Sequence, residues 1–249
     1  MDGDVHLSDP VVLLHAFPLD SSMWDGLRPA LGSRLVTPDL PGFGSAPPVT
    51  EPSLDEAAAA VLATLDQRGV SRAVFGGCSM GGYVAMAVLR AAPSRVSGLV
   101  LVNTKASEDT DEARANRYAM ADRAEADGTD WLPDAMMTTL LGETTLARRP
   151  EVEERVRALI SAQPPASVAW AQRAMAARPS SLDVLAGSGL PALVVRGAED
   201  SLIPAGEATA MASALPGSES VELAGVGHLA PLEAPEELAG VLNRWMEAG

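Results

Sequence analysis

Val74-Phe75-Gly76-Gly77-Cys78-Ser79-Met80-Gly81-Gly82 decides how the rest of this chain is read. An apolar run of strand type ends in two glycines, a serine stands just beyond them, and an apolar helical pattern runs from about Gly81 to Ala92, before Pro93. Within it, Gly77-Cys78-Ser79-Met80-Gly81 has the form Gly-x-Ser-x-Gly. So short a match carries little alone. The strand before it and the helix after it are the setting that presents a serine on a tight, strained turn. The demand is steric: the residues two before and two after the serine must lack bulk. Gly77 and Gly81 meet it, and Gly76 and Gly82 ease the crowding further. The helix then aims its first N–H groups and the positive end of its dipole at the serine.

Serine attacks poorly until a base takes its proton, so the pattern calls for a histidine steadied by an acid. The chain has three histidines, His6, His15 and His228. His228 lies in Gly225-Val226-Gly227-His228, just past the last strand pattern, where glycines let a loop hold the ring over a sheet edge. His6 falls in the N-terminal stretch, and His15 directly follows the first buried strand. For the acid, Gly197-Ala198-Glu199-Asp200-Ser201-Leu202-Ile203-Pro204 follows a strand pattern and offers two. Asp200 is preferred because its shorter side chain sits deeper in the turn. Glu199 is the competitor, and a solvated loop charge is its ordinary role. Ser79, Asp200 and His228 are therefore the expected catalytic residues.

Outward from the serine, strand and helix patterns alternate. Val11–Leu14, Leu35–Thr37, Val74–Phe75 and Leu99–Val102 are short Val- and Leu-rich runs without polar alternation, as strands covered on both faces are. A helix is expected from about Ser53 to Arg68, with Ser53 and Glu56 at capping-box spacing and Gly69 placed to stop it. From about Ser107 to Ala186 no strand pattern appears. Helices are expected there from Thr110 to Gly128, from Thr129 to Gly142, from Pro150, and from Pro165 to before Pro179. Strand patterns resume at Leu193–Val195 and Val221–Leu223, and a last helix runs from about Pro235 to Met246. The expected fold class is α/β, a mostly parallel sheet with helices on both faces. Residues 1–106 and 186–249 would form its core, and 107–185 an inserted helical cap or lid. Helices that merely pad the core are the alternative.

Composition removes several function classes. At 249 residues and 47% hydrophobic the chain can bury a large core and is not intrinsically disordered. Its net charge of −15 speaks against nucleic-acid binding. One cysteine, Cys78, excludes an internal disulfide and a multi-cysteine zinc site. No apolar stretch approaches the ~20 residues of a membrane span, and Met1 to Pro10 lack a signal-peptide pattern, so no membrane association and a cytoplasmic location are expected. No metal and no cofactor are implied.

Four motifs together resemble the α/β-hydrolase family over essentially the whole length. Leu13-Leu14-His15-Ala16-Phe17-Pro18 resembles its His-Gly-x-Pro loop, and Asp39-Leu40-Pro41-Gly42-Phe43-Gly44-Ser45 its Asp-x-Pro-Gly-x-Gly-x-Ser turn. The serine motif and Gly-x-x-Asp-x-x-x-Pro with Gly-x-Gly-His complete the set. The order Ser, Asp, His is that of the family. The resemblance is to small bacterial, actinobacterial-type carboxylesterases and to 3-oxoadipate enol-lactonase-like hydrolases. It implies an oxyanion hole made by the backbone N–H groups of Phe17 and Met80, with His15 buttressing the loop. Two departures stand out. Ala16 replaces the usual glycine, and only about ten residues precede the first strand, so antiparallel edge strands should be short or missing. Some relatives carry the acid after the preceding strand, but that place holds Asn103, which cannot ionise.

The expected reaction is hydrolysis of small-molecule carboxylic esters or lactones through an acyl-enzyme. Ser79 argues against dehalogenases and epoxide hydrolases of the family, which use aspartate, and Cys78 stands where carbon–carbon hydrolases often have Asn. A hydroxynitrile lyase would need a lysine, and Lys105 is the only one. A cofactor-free perhydrolase of the haloperoxidase type and a non-catalytic ligand receptor remain as alternatives. For an apolar substrate pocket the candidates are Trp131, Met136 and Trp170, with Met120, Met137 and Met175, all on the inserted helices. Arg114, Arg117 and Arg173 are candidates for holding a carboxylate.

Overall fold

The computed structural model describes residues 9–248. His6 lies outside them. The chain enters through β1 (Val11–Leu14), passes a 3-10 segment, Ser21–Leu27, and the short α1 (Arg28–Leu31), and forms β2 (Leu35–Val36). It continues through α2 (Leu54–Gln67), β3 (Ala73–Cys78), α3 (Met80–Ala91) and β4 (Val96–Val102). Six helices follow without a strand: α4 (Asp111–Asp127), α5 (Leu132–Leu140), α6 (Glu143–Arg148), α7 (Pro150–Ser161), α8 (Pro165–Ala176) and α9 (Leu182–Ala186). The chain closes with β5 (Ala192–Gly197), α10 (Ala205–Ala214), β6 (Glu219–Leu223), α11 (Ala230–Glu233) and α12 (Pro235–Ala248).

The six strands make one parallel sheet in the order β2-β1-β3-β4-β5-β6, with no antiparallel edge strand among the described residues. Every residue of β1, β3 and β4 is buried, so both faces of the centre are covered, as the unbroken apolar runs require. Chain order reverses between β1 and β3, the switch point at whose C-terminal strand ends open α/β sheets place their ligands. His15, Ser79, Asn103 and the Asp200 turn stand there, just past the ends of β1, β3, β4 and β5.

Local signals explain most boundaries. Ser53 caps α2 by accepting the Asp55 N–H at 3.1 Å, and Gly69 stops the helix at φ +70. The capping box does not form: the Ser53 N–H goes to the Glu51 carbonyl rather than to Glu56. Thr110 caps α4, and Gly128 ends it in a left-handed conformation. Thr129 caps nothing; its hydroxyl donates to the Gln163 carbonyl, and α5 starts three residues later. The short α6 and α9 carry no strong sequence signal and are held by contacts from elsewhere. No described helix is long and apolar enough to cross a membrane.

Candidate active site

Ser79 sits at φ +54, ψ −115 between β3 and α3, one of two non-glycine residues at positive φ among those described. Such a conformation costs about 1–3 kcal/mol and persists only where its surroundings over-determine it. Here they do. The Ser79 N–H donates to the Val102 carbonyl at 3.0 Å, and the Ser79 carbonyl accepts from the N–H groups of Gly82 and Tyr83 and from the Thr104 hydroxyl. The glycines are required by close approach to other backbone. A Cβ on Gly77 would lie 2.3 Å from the Gly81 carbonyl carbon, and one on Gly81 would lie 2.0 Å from the Leu14 carbonyl oxygen. The turn is thus wedged against the end of β1. The Met80 N–H is in the first turn of α3, where an intrahelical acceptor is lacking.

His228 and Asp200 meet in the interior, with Nδ1 2.9 Å from Oδ2 and both residues buried. Burial pushes the Asp200 carboxyl up, but its hydrogen bond and charge interaction with His228, the Ile203 N–H and the Asn103 amide outweigh this and hold it below the usual range. An ionised Asp200 accepts from Nδ1–H, which leaves the lone pair of the neutral ring on Nε2, an atom with no hydrogen-bond partner among the described residues. The His228 carbonyl lies 3.4 Å from the Cys78 sulfur, next to Ser79 in the chain. Burial, with the charges of Asp200 and Glu233, pushes the Cys78 thiol well up, so it packs as an inert filler.

Asn103 is the other residue at positive φ, at +45. Its amide donates to Asp200 Oδ2 and to the Gly227 carbonyl, both at 2.8 Å, tying the acid to the residue before His228. Glu233 does the same from the other side. Its buried carboxylate accepts from the N–H groups of Gly227 at 3.0 Å and Leu229 at 2.9 Å, which flank His228. It also accepts from the Gly142 N–H at 2.9 Å and the Thr145 hydroxyl at 2.7 Å, at the start of α6. His228 N–H itself donates to the Leu140 carbonyl at the end of α5. Glu199, the competitor for the acid, turns away. It accepts from the Thr144 N–H at 2.8 Å and hydroxyl at 2.6 Å, bonds that hold its carboxyl below the usual range. It is neither beside the histidine nor a free surface charge.

At the end of β1, the Leu40 N–H donates to His15 Nε2 at 2.9 Å, so the buried ring is neutral and Nδ1–H donates to the Ala16 carbonyl at 3.0 Å. Burial first of all lowers the basicity of that ring. The same carbonyl accepts the Leu19 N–H at 2.9 Å. Because a peptide is planar, two bonds on the Ala16 oxygen also fix the direction of the Phe17 N–H. Ala16 is not at positive φ, so the loop does without the glycine usual there and bears no strain for it.

Ser79 and Phe17 line a cavity of about 410 Å³ between the strand ends and the inserted helices. Met120, Met136 and Met175, from α4, α5 and α8, also line it. Trp131 and Trp170 do not. Trp131 Nε1 donates to the Gly128 carbonyl and its ring is covered by Arg123 at 3.8 Å. Trp170 bonds the Glu51 carbonyl and lines a separate groove of about 620 Å³ with Arg173. Arg173 is paired with Glu125 and Asp122, and Arg114 with Asp111, so of the three arginines only Arg117 faces the serine cavity. Among the described residues, no group of three or more His, Cys, Asp or Glu side chains gathers as metal ligands would.

A model of the alpha/beta hydrolase family matches residues 11–241. Among solved structures, a thermophilic esterase from Thermogutta terrifontis superposes with TM-score 0.92 at 36% identity, covering 97% of this chain and 90% of that one. The enol-lactonase of Burkholderia xenovorans LB400 shares the fold, with TM-score 0.87 at 24% identity over 96% of this chain and 92% of that one. A pimeloyl-[acyl-carrier protein] methyl ester esterase of Yersinia pseudotuberculosis is 30% identical over 258 residues, 99% of this chain and 95% of the relative. The dihydrolipoyllysine-residue acetyltransferase component of the acetoin cleaving system of Pseudomonas putida is 33% identical over 236 residues. That match takes in 92% of this chain, which spans 61% of the length of that relative.

Proposed function

Since this chain belongs to the alpha/beta hydrolase family, we propose that it is a serine hydrolase cleaving carboxylic esters or lactones of small to medium apolar substrates. His228 Nε2 takes the Ser79 proton as the hydroxyl attacks the carbonyl, and the oxyanion is received by the Phe17 and Met80 N–H groups. His228 then protonates the leaving alcohol, water activated by the same ring releases the acid, and Asp200 keeps the imidazole in its tautomer throughout. With a lactone the leaving alcohol stays tethered to the acyl group. The helices of 107–185 act as a cap over a core of 1–106 and 186–249, and the enzyme works in the cytoplasm.

One observation carries this proposal: a histidine whose Nδ1 is engaged by an ionised acid and whose Nε2 has no hydrogen-bond partner among the described residues, its carbonyl lying against Cys78, the neighbour in sequence of a serine at φ +54. A structural histidine would have both nitrogens bonded, as His15 has. The methyl ester named for the Yersinia relative makes simple alkyl esters the first substrates to try. The test is turnover of p-nitrophenyl acetate to octanoate, followed by a lactone panel, for wild type and Ser79→Ala with a burst-phase trace. Turnover that vanishes in Ser79→Ala and peaks at one chain length supports the proposal. A folded protein inert toward every ester and lactone overturns it.

A further inference from the structure

One wall of the Ser79 cavity is built around Asp109, a buried carboxylate ringed by cations. Arg178, also buried, grips both Asp109 oxygens at 2.8 Å and stacks over the Tyr83 ring at 4.2 Å. Arg117 Nε reaches Asp109 Oδ2 at 2.5 Å, and Lys105 Nζ reaches Oδ1 at 3.1 Å. Burial alone would push the Asp109 carboxyl up, yet the hydrogen bonds and charges of Arg178 and Arg117 hold it far below the usual range. It is therefore a full negative charge, and three positive charges surround it. The remaining acids only partly redress the balance: Glu207 accepts from the Ser107 hydroxyl and adds one negative charge near Tyr83, and Glu108 is exposed.

Arg178 is spent, since its two Nη atoms also donate to the Met175 and Ser107 carbonyls. Arg117 and Lys105 are not. Both line the cavity, with side chains 22% and 15% exposed. Arg117 Nη1 goes to Gln172, while its Nη2 carries no hydrogen bond to the described residues. Beyond Asp109, Lys105 Nζ has among the described residues only the Glu108 carbonyl, at 3.5 Å. In a protein of net charge −15 this half-enclosed wall keeps an excess of positive charge even with Glu207 counted. Uncompensated charge in such a place is costly, and a planar anion that meets a guanidinium and an ammonium relieves it.

We propose that this wall is an anion subsite, and that the substrate is an ester or lactone bearing a carboxylate at the end remote from the reacting carbonyl. The apolar stretch between the two groups lies along Met120, Met136 and Met175. The inference rests on the ester-hydrolase reading above and narrows it to amphipathic acids.

The test compares monomethyl adipate and monomethyl pimelate with methyl hexanoate and methyl heptanoate, which places the carboxylate on the acyl half. Acetoxy acids compared with alkyl acetates place it on the alcohol half. Wild type should prefer the charged member of one series. Lys105→Gln should cut kcat/KM for that series by roughly tenfold or more, the scale of one hydrogen bond to a charged group, and lower it far less for the neutral esters. Arg178 still holds Asp109 in that variant, so the fold survives. Lys105→Glu should lower it further, and added salt should erode the preference. A readout without turnover separates the two inferences. Adipate should raise the melting temperature of Ser79→Ala and fail to do so when Lys105→Gln is added. Equal rates on charged and neutral esters with no adipate effect overturn the subsite alone. No hydrolysis of any ester, with adipate still bound, overturns the ester-hydrolase reading and keeps the subsite.

Discussion

Replacing Glu233 by Gln keeps the shape of a buried side chain and removes one charge. Three donors converge on Oε2, from Gly142, Thr145 and Gly227, and one on Oε1, from Leu229. The amide oxygen of Gln takes the three-donor side, which turns its NH2 toward the Leu229 N–H, donor against donor. One buried N–H then goes unsatisfied and three charge-assisted bonds become neutral, a loss of about 2–3 kcal/mol. For a chain of this size that lowers the melting temperature by roughly 4–12 °C. The displaced N–H groups lie on either side of His228, so the ring shifts relative to Ser79. A misplacement of this kind costs on the order of tenfold to a hundredfold in kcat, with KM within about twofold because nothing lining the cavity has changed. Thermal melts and steady-state kinetics on the best ester measure both. A lowered melting temperature with kcat intact would show that the His228 loop holds its place without Glu233. An unchanged melting temperature would refute the hydrogen-bond reasoning itself.

Three further outcomes are expected. Asn103→Ala frees Asp200 Oδ2 and the Gly227 carbonyl together, and kcat should fall roughly tenfold, the scale of a lost hydrogen bond to a charged group; a variant with wild-type kcat would leave Asn103 no part in positioning the acid. Gly81→Ala puts a methyl 2.0 Å from the Leu14 oxygen, so the variant should be insoluble or melt far below wild type, whereas Gly206→Ala, with open space at its Cβ, should melt normally. Asp109 titrates below its ordinary 3.8, so its stabilisation is complete above about pH 4 and is lost as pH falls through the depressed folded value. The melting-temperature gap between wild type and Asp109→Asn should therefore be widest above pH 4 and shrink toward pH 2; a gap independent of pH would contradict the pairing.

The sheet was legible because its signals are local. Central strands buried on both faces leave unbroken Val and Leu runs, and Gly77 and Gly81 mark the serine turn by their lack of bulk. Asp200 and His228 could be chosen from the glycine-rich loops that carry them past strand ends. Asn103 looked like a non-ionising substitute for an acid, and nothing beside it in sequence records its positive φ or its two long-range bonds. Glu233 sits in Leu232-Glu233-Ala234-Pro235-Glu236-Glu237, an acidic run of solvated appearance, yet it is buried among donors of its own loop and of Gly142, 91 residues away in sequence. Trp131 and Trp170 have the bulk of pocket residues, but helical spacing does not tell which of two grooves an aromatic faces. Arg117 was set apart from Arg114 and Arg173 by Asp109, a partner eight residues off and on no shared pattern.

Ser181 N–H donates to the Ala106 carbonyl at 2.7 Å, and the strands on either side of the helical insertion, β4 and β5, are neighbours in the sheet. The excursion therefore leaves and rejoins the core at nearly one point, like a module plugged into a socket. It could be exchanged, and with it the cavity walls that it carries, without disturbing strand order. The exchange has one condition. The wrist of the module, Gly142 to Thr145, carries the donors that answer Glu199 and Glu233. A transplant lacking that wrist would inherit a new pocket above a histidine no longer kept in aim, so descendants with altered appetites should still share the same grip.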